Sequence, residues 1–261
     1  MSVVLRTVDL SVRYGGVRAL TDCNLEVREG QVFGLIGPNG AGKTTFIDAV
    51  TGFAPSTGAI ELLGSDLRGA PAHVRARRGL MRTWQSGELF EDMTVEENLS
   101  IAAGRGSVRD SLGQILRGRS ADRGPAREVL AQLRLSDLGE RLPGDLSQGH
   151  RKLIDVARAL VGTPRVVCLD EPAAGLDTQE SQALGERLRT IARGGVPLLL
   201  VDHDMGLVLE FCDHIVVLNF GQVIASGPPA HVRRDPAVIE AYLGGSAPAP
   251  TIEPLTSKRS E

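Results

Sequence analysis

Long apolar runs are missing from this 261-residue sequence. The most apolar stretches are Val32–Ile36, Val166–Leu169 and Val196–Val201, all far short of the roughly 20 residues that cross a bilayer. The expectation is a soluble chain that meets a membrane only through a partner. The opening residues, Met1-Ser2-Val3-Val4-Leu5-Arg6, do not read as a secretion signal. Excess positive charge is missing too. The formal net charge of −3 leaves no basic footprint for nucleic acid as the main ligand. Cysteine is scarce. Cys23, Cys168 and Cys212 make an odd count with no C-x-x-C or Cys/His spacing, which excludes a cysteine-based metal site and suits a reducing cytosol. Cys168, inside an apolar run, is expected to pack as a small hydrophobe. No internal repeat is present.

What is there is enough apolar matter, 42% of residues, for one large core or a core domain with a smaller lobe. One stretch dominates: Gly37-Pro38-Asn39-Gly40-Ala41-Gly42-Lys43-Thr44-Thr45, a G-x-x-x-x-G-K-[ST] pattern. It follows the apolar Val32–Ile36 and precedes a helical stretch, Thr45 to Val50, which is the strand–loop–helix context of a phosphate-binding loop. Glycines let backbone N–H groups turn toward an anion, and the helix N-terminus adds its own unpaired N–H groups. Lys43 would reach the β- and γ-phosphates and the Thr44 hydroxyl would ligate Mg²⁺.

Around this loop the chain changes character twice. Alternation over residues 3–13 predicts a half-exposed strand, with Tyr14-Gly15-Gly16 as a turn and Leu20 to Val27 as a second strand. Pro55–Gly58 reads as a loop and Ala59–Gly64 as a strand ending in a turn. Pro71 to Arg78 reads as a short helix with Pro71 at its first position. The arginines Arg75, Arg77, Arg78 and Arg82 read as a solvated face. From Thr94 to about Leu160 no convincing strand is evident, and Gln85–Leu160 reads as a mostly helical insert. It has a capping box at Thr94/Glu97, an apolar face of Val129, Leu130, Leu133 and Leu135, and Ser147 capping the next helix. Residues 104–124, polar and arginine-rich, read as a solvated loop. An α/β pattern then returns: strand Arg165–Leu169, helix Thr178–Arg193, strand Pro197–Val201, helix Met205–Phe211, and a closing pair, His214–Leu218 and Gln222–Ala225. Asp235 caps a last helix, Ala237–Leu243. Residues 244–261, with Pro248, Pro250 and Pro254, read as a disordered tail.

The second chemical element is Val166-Val167-Cys168-Leu169-Asp170-Glu171. Four apolar residues ending in carboxylates mark a buried strand whose C-terminal edge meets a ligand. Asp170 would hold Mg²⁺, and Glu171 is placed as general base on an attacking water.

With these residues in order, the chain resembles the nucleotide-binding subunit of an ABC transporter over residues 3–243. Gly37–Thr44 resembles Walker A and Val166–Glu171 Walker B. Leu146-Ser147-Gln148-Gly149-His150 resembles the LSGGQ signature. Gln85 matches the Q-loop glutamine, Ala174-Gly175-Leu176-Asp177 the D-loop, His203 the switch histidine, and Tyr14 the aromatic that stacks on adenine. The resemblance implies a P-loop NTPase core with an N-terminal antiparallel β subdomain and an inserted α-helical signature subdomain at about 86–160. It implies that Gln85 contacts Mg²⁺ or water and that His203 bonds the γ-phosphate and orients Glu171. It also implies that Asp177 crosses to a second subunit, and that two ATP molecules are sandwiched between two ATPase subunits. The signature departs from its family form. Gln148 replaces a glycine and His150 the final glutamine, while Ser147 and Gly149, the γ-phosphate contacts, remain. The departure leaves open how tightly this half binds phosphate and whether His150 adds a pH-sensitive contact.

Three further segments are similar to the ATPase subunits of branched-chain amino-acid, urea and amide importers. They are Arg82-Thr83-Trp84-Gln85 with Leu89–Leu99, Pro172–Leu176 with Asp202-His203-Asp204-Met205, and Asp235–Gly244. That likeness implies work at the cytoplasmic face of the inner or plasma membrane. Permeases and an extracytoplasmic solute-binding protein would be partners, and nucleic acid would not. The alternatives are an exporter ATPase, for lipid or lipopolysaccharide, a soluble ABC protein acting as a clamp, and a regulatory subunit that binds ATP without turnover.

Overall fold

A computed structural model describes residues 2–83, 89–103, 123–203 and 205–243. Expectations for Trp84, Gln85, Asp204, most of the 104–124 segment and the 244–261 tail fall outside them. The strands are β1 (Val3–Tyr14), β2 (Val17–Arg28), β3 (Val32–Ile36), β4 (Thr57–Leu62), β5 (Ser65–Asp66), β6 (Leu80–Arg82), β7 (Val166–Asp170), β8 (Leu198–Val201), β9 (His214–Asn219) and β10 (Gln222–Gly227). The helices are α1 (Lys43–Thr51), α2 (Ala72–Arg77), α3 (Val95–Ala103), α4 (Gly124–Gln132), α5 (Gln148–Val161), α6 (Thr178–Arg193), α7 (Met205–Phe211), α8 (Pro229–Val232) and α9 (Pro236–Leu243).

Two sheets result. One is antiparallel, ordered β2-β1-β4-β5; the other is ordered β10-β9-β3-β8-β7-β6 and is parallel except for β10. The second sheet is covered on both sides, which explains its unbroken apolar strands. Successive side chains point to opposite faces. Val166 and Cys168 therefore join the core shared with α1 and the antiparallel sheet, while Val167 and Leu169 join the core shared with the helices. Phe33 and Phe46 are fully buried in the first of these cores, each contributing about 1.5–3 kcal/mol. Cys168 is buried there as expected, and burial pushes its thiol up to about 12.

Between β6 and β7 the regular elements among the described residues are helices, α3, α4 and α5, with 3₁₀ turns at Ser136–Leu138 and Pro143–Asp145. The Thr94/Glu97 capping box forms in both directions. Ser147 caps α5, worth about 1 kcal/mol. The stripe Leu153, Ile154, Ala157 and Leu160 buries one face of that helix. No helix among the described residues is long and apolar enough to cross a membrane.

Several expectations are corrected. Arg75 is not on a solvated face. It is buried and donates to the carbonyls of Ala49 and Val50, the last turn of α1, and to Ala70. Those carbonyls lack partners within the helix, and a cation there also meets the negative end of the helix dipole. Arg82 is buried as well, between two carboxylates, whereas Arg77 and Arg78 are exposed. Pro71 is the N-cap rather than the first helical residue. Strand β4 starts at Thr57, inside the expected loop, because Thr57 pairs with Ser11 across a bulge. Leu135 lies beyond α4, yet stays in the core.

Candidate functional site

Strand order builds the site. In the second sheet β8 lies between β3 and β7. The C-terminal ends of three adjacent parallel strands therefore carry Gly37, Asp202-His203 and Asp170-Glu171. In open α/β sheets this edge is where ligands bind.

The loop after β3 owes its path to glycine. Gly37 has φ 153°, and a Cβ there would lie 2.1 Å from the Leu218 carbonyl oxygen. Gly42, the N-cap of α1, has φ 105° and its missing Cβ would press on the Ala19 carbonyl at 2.8 Å. The loop is thus seated against β9 and β2, and Gly221 donates to the Ala41 carbonyl at 2.9 Å. Lys43 is only 7% exposed. Its Nζ donates to the carbonyls of Gly37 at 2.7 Å and Pro38 at 3.1 Å. Burial lowers the Lys43 ammonium below the usual lysine range, against the pull of Glu171, Asp170 and Asp202. Thr44 is exposed in the first turn of α1 and Thr45 is half-buried. Pro38, Asn39 and Gly40 form the open side of the loop.

Asp170 ends β7, buried, and accepts Arg82 Nη2 at 2.8 Å; Nη1 of the same guanidinium reaches Asp48 at 2.5 Å. The backbone N–H of Asp170 donates to Thr83 Oγ1 at 3.3 Å. Glu171 sits at φ +47°, a left-handed conformation costly for a non-glycine residue, and its N–H donates to the Val201 carbonyl at 2.7 Å. His203 Nδ1 lies 3.8 Å from Glu171 Oε2 and 3.6 Å from Asp202 Oδ1. Sequence reasoning assigned nothing to Asp202, which is fully buried. One of its oxygens accepts the Ala173 N–H at 3.2 Å and the other the His203 N–H at 2.8 Å. It ties the loop after β7 to the loop after β8. The signal was present, an acid directly after an apolar strand, as at Asp170.

The structure brings together Lys43, Asp170, Glu171 and His203. Tyr14 closes the β1–β2 hairpin, 49% exposed, on the strand pair whose Ala19 contacts Gly42. Ser147, Gln148, Gly149 and His150 form a separate group at the exposed start of α5. Its contacts run to the loop before α6 and to α6 itself. A Cβ on Gly149 would lie 3.0 Å from Glu180 Oε1, and one on Gly175 would lie 3.6 Å from Gln148 Nε2. Asp177 caps α6, its carboxylate accepting the Glu180 N–H at 2.8 Å while Glu180 returns a bond to the Asp177 N–H. Gln85 is outside the described residues. Among the described residues no group of three or more His, Cys, Asp or Glu could hold a metal ion.

A glycine-rich loop between a buried parallel strand and a helix, faced by carboxylates on neighbouring strand ends, defines a P-loop nucleotide-hydrolysing protein. Comparison with known proteins narrows the class. Residues 20–174 match the ABC transporter family and residues 222–248 the branched-chain amino acid ATP-binding cassette transporter family. The chain is 40% identical over 252 residues to BraF of Pseudomonas aeruginosa, a high-affinity branched-chain amino acid transport ATP-binding protein, covering 92% of this chain and 98% of that one. It is 37% identical to LivG of Escherichia coli, likewise named, covering 94% and 99%. LptB of Haemophilus influenzae, a lipopolysaccharide export system ATP-binding protein, is 32% identical, covering 92% and 97%. The ADP conformation of MJ1267, an ATP-binding cassette of an ABC transporter, superposes with a TM-score of 0.83 at 31% identity, covering 94% of this chain and all of that one. The chain belongs to the ABC transporter ATP-binding family, and it is an ATPase of that fold.

Proposed function

We propose that this chain is the ATP-hydrolysing motor subunit of an importer for branched-chain amino acids or related small polar solutes, including amides and urea. The observation that carries the import reading is the match of residues 222–248 to the branched-chain cassette family, beside the likeness to BraF and LivG. The subunit works under transmembrane permeases at the cytoplasmic face, with a solute-binding protein on the other side. It pairs with a second ATPase subunit, the same or different, because Ser147 and Gly149 sit at the exposed start of α5, in a group of contacts separate from those of its own Lys43.

Each residue then has a task. Tyr14 stacks on adenine. The N–H groups of Gly37–Thr45 surround the phosphates, and Lys43 exchanges the carbonyls of Gly37 and Pro38 for phosphate oxygens. Thr44, Asp170 and Gln85 are hard oxygen donors few enough to suit Mg²⁺, which keeps water and phosphate ligands. Held there, Mg²⁺ would supply positive charge against the negative charge that develops on the transferring phosphoryl group. Glu171 takes the proton of the attacking water. His203 steadies Glu171 and the γ-phosphate, and Asp202 holds both loops in place. Ser147 and Gly149 meet the γ-phosphate of the partner's ATP at the N-terminus of α5, flanked by Gln148 and His150. Asp177 crosses the same interface.

The test is reconstitution with the permeases and binding protein, measuring ATP-dependent uptake of branched-chain amino acids, amides and urea. Uptake of at least one is expected. The likeness to LptB favours one second reading, an export motor with the same catalytic residues. ATP-dependent lipid extraction without solute uptake would replace the first reading with the second.

A further inference from the structure

Ser147 Oγ is engaged twice by one neighbour. It accepts the backbone N–H of His150 at 3.3 Å, and it lies 3.2 Å from His150 Nδ1. Both residues are exposed. A hydroxyl has one hydrogen to give and two lone pairs to receive with. The backbone N–H fills one lone pair. The imidazole decides the rest. When Nδ1 carries no hydrogen, it can only accept, so the Ser147 O–H points into the ring and is lost to other acceptors. When Nδ1 carries a hydrogen, it donates to the second lone pair, and the Ser147 O–H is free to point outward.

We propose that His150 is a positioning residue for the signature serine, its imidazole setting whether the Ser147 hydroxyl can donate to the terminal phosphate of ATP on the partner subunit. This rests on the reading that Ser147 meets that phosphate. Neutral His150 in its Nε2–H form withholds the serine proton. The imidazolium releases it and adds a positive charge beside the N-terminus of α5, where an anion already gains from the helix dipole. Adding a proton to the ring therefore tightens the sandwich.

The charged groups around the ring are few. On α5 the next residues are Arg151, which pairs with Glu91 and donates to the Pro143 carbonyl, and Lys152. From the preceding turn comes Asp145. From the start of α6 come Asp177 and Glu180, already bonded to each other's backbone. Among the described residues none of these lies within ion-pair distance of the imidazole, and Ser147 is its one side-chain partner.

The test uses the full chain carrying Glu171→Gln to prevent hydrolysis, alone and mixed with any ATPase subunit encoded beside it. ATP-dependent dimerisation is measured by light scattering at pH 6 and pH 8, with nucleotide binding to the monomer measured at each pH. About tenfold tighter dimerisation at pH 6 is expected, as for one added charge-assisted hydrogen bond. His150→Gln should flatten that difference, and because ATP's own titration acts equally on both proteins, the comparison of the two isolates the part due to His150. A difference under twofold, or one that survives His150→Gln, overturns the role of His150. Absence of ATP-dependent association at either pH, with monomer binding intact, instead overturns the reading that Ser147 meets a partner's ATP. Independently, the ¹⁵N shifts of His150, assigned by loss in His150→Gln, should show an unprotonated Nδ1 at pH 8. A hydrogen on Nδ1 at that pH would also refute the proposal.

Discussion

Arg82 offers the sharpest test of how the site is braced. Its guanidinium joins three elements, lying on β6 and bonding Asp170 at the end of β7 and Asp48 on α1. The Arg82 and Asp170 side chains are each 6% exposed, so this is a buried pair rather than a surface one. The guanidinium also lies 6.0 Å from the centre of the Phe53 ring. Arg82→Met keeps most of the packing volume and removes the charge. Asp170 is then a buried carboxylate without its cation, and breaking a buried pair on one side costs about 3–5 kcal/mol. At about 2–4 °C per kcal/mol for a chain of this size, the midpoint should fall by about 6–20 °C. Adding Asp170→Asn removes the stranded charge, so the double variant should recover a coupling energy of about 1–3 kcal/mol relative to the sum of the single changes. The assay is thermal and urea unfolding without nucleotide at pH 7, on all four members of the cycle. A loss under about 1 kcal/mol for Arg82→Met, with no coupling to Asp170, would put the pair in the class of screened surface contacts and refute the reasoning.

Other perturbations have equally definite signs. Lys43→Ala should abolish ATP binding by equilibrium fluorescence, and retained micromolar affinity would remove the phosphate-loop assignment. The Arg127 guanidinium beside Glu96, helped by Glu140 and Arg123, holds the Glu96 carboxyl below the usual carboxylate range. Its folded value is depressed, so the stability it adds is full above the unfolded value near 4.3 and fades as pH falls through the folded one. The urea-midpoint gap between the native chain and Glu96→Gln should therefore shrink from pH 7 to pH 4, and a gap that widens would contradict the sign. The Tyr242 hydroxyl is buried beside the Gly37 backbone with no well-formed hydrogen bond among the described residues, and burial pushes it up to about 12. Tyr242→Phe should leave the thermal midpoint unchanged or raise it by a few degrees, since it removes a polar group without breaking a good bond. A clear drop would show that the hydroxyl is bonded after all.

What could be read from the chain is what local chemistry decides. The helix Thr178–Arg193 is found between its expected ends because Asp177 and Glu180 cap each other and Gly194 follows the last turn. The glycine loop and the acids after β7 were legible because an apolar strand, a turn and a chemical group follow one another in sequence. Arg75 and Arg82 were not. Their partners, the Ala49 and Val50 carbonyls and Asp48 and Asp170, lie 25 to 88 residues away, and nothing near an arginine in sequence announces a buried partner. The β5 strand is two residues long and exists only because Leu62 and Glu61 present a free edge. His150 was visible as an odd residue in the signature, but its grip on Ser147 needed the helical turn that brings positions three apart together.

These two kinds of residue divide the site by rigidity. Asp170, Glu171 and His203 stand at the ends of strands that are paired on both sides, with Lys43 opening α1 beside them, and buried groups hold the acids and the histidine there: Arg82 fixes Asp170, and Asp202 ties Ala173 to His203. Glu171 keeps its left-handed backbone with its N–H donated to the Val201 carbonyl at the end of the neighbouring strand β8. Ser147 and His150 have no such frame. Among the described residues their side-chain hydrogen bonds are to each other, and both residues are exposed. Under the proposed function, the braced edge carries the chemistry, and the bonds that form and break as two subunits close and open are those at the exposed end of α5.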